Sequence, residues 1–296
     1  MPQISSMELF DAAALISDGI STAFRQKKGY LVGRNGTIEM ETLLTKKYQN
    51  TFYLQQLNIL QRNAGVFPAS VGSVSDWVNE TEKAIQHTDL LVAGWYDPIR
   101  ETELAYLKIL GRQGPFLPLR ALEPYYVPQQ IQWTRYLLWK KVAVVTSFAK
   151  TAEAQLAKRK EIWPDRYDSL LPDAEYVFIQ TGYSPALAAG RAEWPNGIET
   201  WQDAVESIVQ KVSESGADIV LIGCGGLSMI LGSRLKALGK VCIVMGGAIQ
   251  VLFGIKGNRW QAHPVISRFW NEAWVYPSLE ETPASSGAVE GSCYWH

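Results

Sequence analysis

The chain has 296 residues, a formal net charge of −1 and 19% charged residues, which is enough for one large or two modest α/β domains. The absence of a basic excess argues against nucleic-acid binding, and the first residues, MPQISSMELFDAA, lack the zones of a signal peptide. The most apolar stretch, 217–232, contains Asp218 and four glycines, so no transmembrane segment is expected, and three unclustered cysteines indicate a cytoplasmic protein.

The first half of the chain alternates helical and strand-like patterns. Apolar residues at helical spacing predict a helix over 5–25, and Gly29 separates it from a short strand over 30–32 and the turn 33–36. The other elements predicted here are helices over 37–48, 52–63, 74–86 and 99–110 and a strand over 89–95. The segment 114–130 is interrupted by prolines and glycines, so it is the candidate for a boundary or crossing loop.

The second half continues the alternation. Its predicted elements are strands over 139–147, 176–181, 219–222 and 241–245 and helices over 151–162, 198–215 and 227–239. Strands that alternate with helices predict an α/β fold with a mostly parallel, doubly wound, Rossmann-like sheet. We therefore divide the chain into an N-terminal α/β half (1–138), a C-terminal Rossmann-like half (139–262) and an irregular aromatic tail (263–296) that packs back on the body.

Two glycine turns follow successive strands of the second half. Their glycines are Gly223, Gly225, Gly226, Gly246 and Gly247. Ligands of open α/β sheets bind at the carboxyl ends of the strands, so these turns predict a phosphorylated or nucleotide-bearing ligand, although glycine there is also common for structural reasons alone. The spacing GCGGLS departs from the dinucleotide fingerprint because Ser228 holds the last glycine position, and no P-loop sequence occurs.

The turn after the first strand carries two charged candidates. Arg34 lies at the end of that strand, where it could clamp a phosphate or carboxylate in bidentate fashion. Glu39 falls in the first turn of the next helix, where the helix dipole favours an acid that needs no function.

Two further segments carry polar candidates. Ser147 and Thr151 follow a strand and could either cap a helix or donate to a phosphate. Lys256 and Arg259 form a basic loop that is either solvated or placed to stabilise a departing diphosphate. The tail segment 289–295 ends in Cys-Tyr-Trp, which is too apolar for solvent, so we expect it to be ordered against the ligand-side face.

These segments resemble a group of bacterial proteins that are often encoded among polysaccharide genes. That group carries LIGCGAYG, a GK turn, HMGGATQILFGIKGKRW, a WVxPS segment and a terminal VEGGCYW. The matching segments here are 223–226, 239–240, 245–260, 274–278 and 289–295. GRNGTIEME and NAGVFP in the first half resemble the group's GRxGTxELE and AGxFP, so the resemblance covers nearly the whole chain.

More distantly, the layout is similar to glycosyltransferases of the GT-D type. Their RxGDGE sequence after the first strand contains a DxE motif that holds a divalent metal on the sugar diphosphate. Arg34, Gly36 and Glu39 match this pattern, whereas Thr37 stands where the aspartate belongs. The resemblance implies manganese or magnesium bound by Glu39. Because a hydroxyl is a weak metal ligand, Glu41, water or diphosphate oxygens would supplement the site, or nearby cations would replace the metal.

The resemblance implies a glycosyltransferase that transfers a sugar from a nucleotide-sugar donor to a glycan or lipid-linked acceptor in polysaccharide assembly. It places the diphosphate over the turns at Gly36, Ser147 and Gly225, with Arg34 on phosphate and Glu39 as metal ligand or base. The other donor-site residues of this assignment are Thr37, Gly223, Gly226, Gly246, Gly247, Gln250, Lys256 and Arg259. The alternatives are a non-catalytic nucleotide or sugar-phosphate binding protein derived from such an enzyme and an oxidoreductase. The oligomeric state, including a homo-oligomer, stays open.

Overall fold

The computed structural model describes residues 7–296, and its centre is one six-stranded sheet. The strands are β1 (Tyr30–Arg34), β2 (Leu90–Val92), β3 (Lys141–Thr146), β4 (Glu175–Gln180), β5 (Ile219–Gly223) and β6 (Val241–Val244). They are hydrogen-bonded in the order β2-β1-β6-β5-β3-β4, and every neighbouring pair is parallel. The carboxyl ends of all six strands therefore lie at the same edge of the sheet.

Helices and short 3₁₀ turns connect the strands. The α-helices within residues 7–296 are α1 (Leu9–Gln26), α2 (Thr37–Gln49), α3 (Leu54–Ala64), α4 (Val71–His87), α5 (Arg100–Ile109), α6 (Ala149–Leu156), α7 (Arg159–Ile162), α8 (Tyr167–Leu170), α9 (Pro185–Ala188), α10 (Trp201–Ser215), α11 (Ser228–Ala237), α12 (Ala248–Leu252) and α13 (Asn258–Gln261). Local sequence explains several of their ends. Thr200 and Asp203 form a capping box at the start of α10, and Gly239, at φ +83°, follows the end of α11.

The helices cover both faces of the sheet, which is what doubly wound means. Residues of α2, α3, α4, α5, α10 and α11 form the core on one face, and residues of α1, α6, α7, α8 and α12 contribute to the core on the other. The strands supply alternate residues to the two cores. Leu221 of β5 faces one side, and Val220 and Ile222 face the other. Because both faces are buried, the strands read as continuous apolar runs.

The predicted α/β fold with a doubly wound parallel sheet is confirmed, and the described strands are all parallel. The helix predicted over 5–25 corresponds to α1 at 9–26, and residues 5 and 6 lie outside the described part of the chain. The strand predicted over 89–95 is wrong at its end. β2 stops at Val92 because Gly94 adopts φ +68° and donates its N–H to the Glu103 carboxylate at 3.0 Å. The helix predicted over 151–162 is divided into α6 and α7.

Both halves of the chain contribute to the same sheet, since β1 pairs with β6. The tail runs across this body through three short 3₁₀ turns at 266–269, 279–281 and 286–288. Its side chains Trp274, Val289, Cys293 and Trp295 belong to the core on one face of the sheet. Within residues 7–296, every helix is too short or too polar to cross a membrane.

Candidate functional site

A cavity of about 350 Å³ lies at the edge of the sheet where the strands end. Its wall consists of residues that follow β1, β3, β4, β5 and β6, together with parts of the tail. The residues from the sequence analysis that line it are Arg34, Gly36, Thr37, Glu39, Ser147, Gly223, Gly225, Gly246, Gly247, Gln250 and Arg259. Four others lie outside this wall, namely Glu41, Thr151, Gly226 and Lys256.

Arg34 is the last residue of β1, and its side chain enters the cavity half-buried. Its Cζ lies 5.3 Å from the centroid of the Trp95 ring, and its Nη1 reaches the Asn35 carbonyl oxygen at 3.5 Å. A Cβ built on Gly246 would lie 2.5 Å from Arg34 Nη2, so the guanidinium rests directly on the turn after β6. Arg34 Nε is buried without a hydrogen-bond partner among the described residues. The guanidinium is thus held between an indole and a glycine turn.

Glu39 lies in the first turn of α2 beside this cation. Its carboxylate folds back over Gly36, the residue before the helix, so closely that a Cβ there would collide with it. Burial raises the pKa of the Glu39 carboxyl, while its own backbone N–H and the Arg34 charge oppose that shift. The helix explains why an acid stands here, and the cavity gives that acid a raised affinity for a proton.

The two glycine turns differ in what they contact. A Cβ at Gly223 would lie 2.7 Å from the Gly246 carbonyl oxygen, so the turns after β5 and β6 pack against each other. A Cβ at Gly225 would lie 2.7 Å from a carbonyl oxygen at the end of α3. The Gly226 carbonyl accepts a hydrogen bond from Trp77 Nε1 at 2.8 Å. Backbone packing therefore accounts for Gly226, which does not reach the cavity.

Arg259 brings a second guanidinium to the cavity from α13. Its Cζ lies 4.6 Å from the centroid of the Tyr294 ring, and its Nη2 lies 3.5 Å from the Glu290 carboxylate. Burial raises the pKa of the Tyr294 hydroxyl, while the charges of Arg259 and Arg34 both oppose that shift. The Tyr294 hydroxyl therefore lies in the field of both guanidinium groups.

Gln250 fastens the tail to the turn after β6. Its Nε2 donates to the carbonyl oxygens of Lys256 and Tyr294, both at 2.7 Å. The neighbouring Trp295 is 2% exposed. The Lys256 ammonium lies 5.5 Å from the centroid of the Trp270 ring, away from the cavity wall. Lys256 thus contributes its carbonyl group to this arrangement, and its charge lies outside the cavity.

The turn after β3 is closed at its helix end by the tail. Glu281, which is 2% exposed, accepts the backbone N–H groups of Lys150 at 2.7 Å and Thr151 at 3.1 Å, and also the Thr151 hydroxyl. The Ser278 hydroxyl donates to the same carboxylate at 3.2 Å. The Glu281 carboxylate therefore binds the backbone N–H groups for which the sequence analysis considered a phosphate. Ser147 is the part of this turn that lines the cavity.

A second charged cluster lines the cavity, and sequence reasoning missed it. Arg120 pairs with Glu123, its Cζ lies 4.3 Å from the Tyr126 ring centroid, and its Nη2 lies 3.3 Å from His263 Nε2. Burial raises the pKa of the Glu123 carboxyl, and the charges of Arg120 and Arg34 oppose that shift. These residues lie in irregular segments, where neither periodicity nor a motif identifies them. The signal for Arg120 and Glu123 was limited to their charge within the proline-interrupted segment 114–130.

Aromatic side chains form much of the remaining wall, and sequence reasoning did not assign them either. They include Trp95, Tyr183, Trp194 and Trp260. Aromatic faces pack on the apolar faces of sugars and bases, and they also fill cores. The sequence shows eleven tryptophans without indicating which of them face a ligand.

The acidic residues of the site do not fit a resident divalent cation. Among residues 7–296, no three His, Cys, Asp or Glu side chains form a group that could hold a metal ion. Glu39 folds over Gly36 beside the Arg34 charge, and Glu123 pairs with Arg120. Magnesium and calcium are held by several oxygen ligands. Glu123 and Glu290 are paired with Arg120 and Arg259, and Glu39 alone does not supply enough of these ligands.

No protein-family model and no curated protein matches the chain. Two solved structures resemble it. The first is the domain of unknown function 1792, described as highly conserved and as having a distinct glycosyltransferase fold; it shares 12% identity at a TM-score of 0.38, with 93% of this chain and 96% of that one covered. The second is a selenomethionine-substituted structure of the same domain, with 11% identity, a TM-score of 0.39 and the same coverage. Similarity at this level carries no argument about this chain's site or reaction.

Proposed function

We propose that this protein is a glycosyltransferase that moves a sugar from a nucleoside diphosphate to a hydroxyl group of a glycan acceptor. The observation that carries the proposal is a pair of guanidinium groups in the wall of one cavity. Arg34 rests on Gly246, and Arg259 lies 4.6 Å from the centroid of the Tyr294 ring, which packs on the adjoining Gly247. Guanidinium groups bind phosphate oxygens in bidentate fashion, so two of them suit a diphosphate.

The remaining wall suits the uncharged parts of such a donor. A volume of about 350 Å³ is within the range of small-molecule sites. Trp194 lines the wall, and an aromatic ring packs well on a base or on the apolar face of a sugar. The position at the carboxyl ends of parallel strands is where open α/β sheets bind their ligands.

In the proposed reaction, the acceptor hydroxyl oxygen forms a bond to the anomeric carbon as the bond from that carbon to the diphosphate oxygen breaks. The diphosphate leaves with the electron pair, and Arg34 and Arg259 stabilise its charge. Glu39 takes the hydroxyl proton. Because burial raises the pKa of this carboxyl, its carboxylate form is a stronger base than an ordinary glutamate. No step is assigned to a metal ion, since the acidic side chains present do not fit one.

Calorimetry with UDP, GDP, CDP and dTDP and their sugar esters tests the proposal. We expect one nucleoside diphosphate to bind. Arg34→Gln should lower its binding affinity by about a hundredfold, since a hydrogen bond to a charged group contributes about 1.5–3 kcal/mol. Arg25→Gln is the matched control, because Arg25 is exposed at the end of α1 and contacts Thr22. Binding of NADH in place of every nucleoside diphosphate would assign the protein to the oxidoreductases.

One observation favours a non-catalytic binding protein as the second candidate. Thr37 replaces the aspartate of the motif, and the remaining acid, Glu39, already folds over Gly36 at the start of α2. Product analysis with the sugar ester that binds separates the two candidates. An enzyme transfers the sugar, and Glu39→Gln abolishes transfer while donor binding persists. Tight binding with no transfer or hydrolysis by the unmodified protein supports the binding protein.

A further inference from the structure

His263 is held in the cavity wall by its own backbone. The ring follows α13, and its Nδ1 accepts the N–H groups of Val265 and Ile266, both at 3.2 Å. The His263 carbonyl in turn accepts the Ser267 hydroxyl at 2.6 Å. The ring is therefore oriented without any ligand, and its Nδ1 is committed to accepting hydrogen bonds.

The tautomer of His263 follows from these partners. A neutral imidazole has one N–H, and Nδ1 cannot carry it while accepting two backbone N–H groups. The proton therefore resides on Nε2. Burial and the neighbouring Arg120 charge lower the pKa of His263, while a hydrogen bond with its own backbone opposes that shift.

The Nε2–H group then faces another donor. Arg120 Nη2 lies 3.3 Å from His263 Nε2, and a guanidinium nitrogen donates and never accepts. The other end of the guanidinium is used, since Nη1 pairs with Glu123 and the plane lies over the Tyr126 ring. Two donor nitrogens at this distance can both reach one oxygen acceptor that bridges them from the side of the cavity, at about 2.9 Å from each. Both residues line the cavity, so a ligand oxygen can reach that position.

The Arg120 guanidinium favours an anionic oxygen beside it. Glu123 pairs with Arg120 and Glu39 lies beside Arg34, so each guanidinium of the cluster has one carboxyl neighbour. A guanidinium has five N–H groups and can serve Glu123 and a second anion together. The position lies in the same cavity as Arg34, where the donor diphosphate is proposed, and both arginines act on Glu123.

We propose that Arg120 and His263 form a subsite for the acidic group, carboxylate or phosphate, of an anionic acceptor sugar. The assignment to the acceptor rests on the proposed function, because it takes the diphosphate to lie at Arg34 and Arg259. The anion subsite itself rests on the geometry of the two donors alone. Neutral sugars lack the charged oxygen that this pair requires.

His263→Asn is the most selective variant for a test. An asparagine Oδ1 can take the place of Nδ1 as acceptor of the Val265 and Ile266 N–H groups, while the Nε2 donor is lost. His87→Asn is the matched control, since His87 is exposed at the end of α4 and contacts Ser233. Replacing Arg120 is less selective, because it leaves the buried Glu123 unpaired.

Calorimetry or NMR measures the affinity of the full chain for glucuronate, for glucose 1-phosphate and for glucose. We expect at least one of the two anionic sugars to bind at least tenfold more tightly than glucose, His263→Asn to lose at least tenfold of that affinity, and His87→Asn to keep it. Preference for glucuronate identifies a carboxylate ligand, and preference for glucose 1-phosphate identifies a phosphate. Equal binding of all three sugars, or unchanged affinity in His263→Asn, overturns the subsite.

A second arm separates this inference from the proposed function. The anionic sugar is titrated again in the presence of a saturating nucleoside diphosphate, UDP or whichever other one binds. Simultaneous binding supports the acceptor assignment, and mutual exclusion overturns it because the subsite would then belong to the donor diphosphate. If no nucleoside diphosphate binds, the proposed function fails while the test on the free protein still decides the anion subsite. Nitrogen-15 NMR should show the His263 proton on Nε2.

Discussion

The turns after β1 and β3 begin alike and end differently. Each follows a buried strand, contains small or hydroxyl residues and leads into a helix whose first amides point towards the same edge of the sheet. At α6 those amides are taken by the Glu281 carboxylate, which arrives from the tail. At α2 the turn opens into the cavity, with Arg34 on one side and Glu39 folded over Gly36.

The difference teaches that a strand–turn–helix sequence specifies an anion position without specifying which anion fills it. The Glu281 carboxylate accepts the first backbone N–H groups of α6, where a ligand anion could otherwise bind. This contact, the joint at α6, connects the tail to the sheet. Among residues 7–296, no carboxylate of the tail bonds to the first amides of α2, and the charged groups of this turn line a cavity large enough for a ligand. The following experiments test whether the turn after β3 serves stability and the turn after β1 serves ligand binding.

The largest expected effect is on the joint at α6. Glu281→Ala removes the acceptor of several backbone and hydroxyl donors, and burial leaves them unsatisfied. We expect the free energy of unfolding to fall by about 3 kcal/mol, measured by urea denaturation. Glu280→Ala is the control, because the neighbouring Glu280 is exposed and pairs with the exposed Lys150 side chain. Equal midpoints for the two variants would show that the carboxylate does not hold this joint.

In the turn after β2, a buried carboxylate again accepts a backbone N–H group, and here its protonation can be tested. Glu103 accepts a single backbone N–H, from Gly94, and burial raises the pKa of this carboxyl to about 7. In the unfolded chain the carboxyl has its ordinary pKa near 4.5, so between these values the folded state holds a proton that the unfolded state has lost. The free energy of unfolding should therefore fall as pH rises through this window and level off above it.

Thermal or urea unfolding between pH 5 and pH 8 measures this effect. We expect Glu103 to account for a loss of about 2–3 kcal/mol over that range, since one pKa unit corresponds to about 1.4 kcal/mol. Glu103→Gln keeps an oxygen for the Gly94 N–H and cannot ionise, so the difference between it and the unmodified protein should grow with pH. A constant difference at every pH would contradict the assignment.

The smallest expected effect concerns Arg34 at the open turn after β1, which rests against Gly246 in the turn after β6. Gly246→Ala places a Cβ 2.5 Å from Arg34 Nη2, which should displace the guanidinium. We expect the affinity for the nucleoside diphosphate to fall about tenfold, which corresponds to roughly 1.4 kcal/mol. Gly246 has φ +59°, so the variant also strains the backbone. Gly216→Ala is the matched control, because Gly216 has φ +69° and no atom within 4 Å of its Cβ position.

Both glycine variants should lose a similar amount of stability, about 1 kcal/mol, because both force a side chain into the left-handed region. Only Gly246→Ala should lose affinity for the nucleoside diphosphate, measured by calorimetry at a temperature where both variants are folded. Equal affinity in the two variants would mean that the position of Arg34 against the turn after β6 does not matter for binding.

The sequence by itself determined the α/β fold. Continuous apolar runs such as 219–222 require burial on both faces, and their alternation with helical patterns requires a parallel sheet. The family resemblance placed Arg34 and the glycine turns at one donor site, and the parallel strands bring their carboxyl ends to one edge of the sheet. Gly239 correctly marked the end of α11. These features depend on local periodicity and on backbone preference, which a single sequence displays.

Only the tertiary structure decided which turn stays open. Glu281 reaches α6 from a tail without regular pattern, and Arg120 meets His263 across segments that carry no periodicity. It also separated Gly225, which lines the cavity, from Gly226, whose carbonyl serves Trp77. Contacts between distant irregular segments depend on the path of the whole chain. The composition and spacing of neighbouring residues do not record that path.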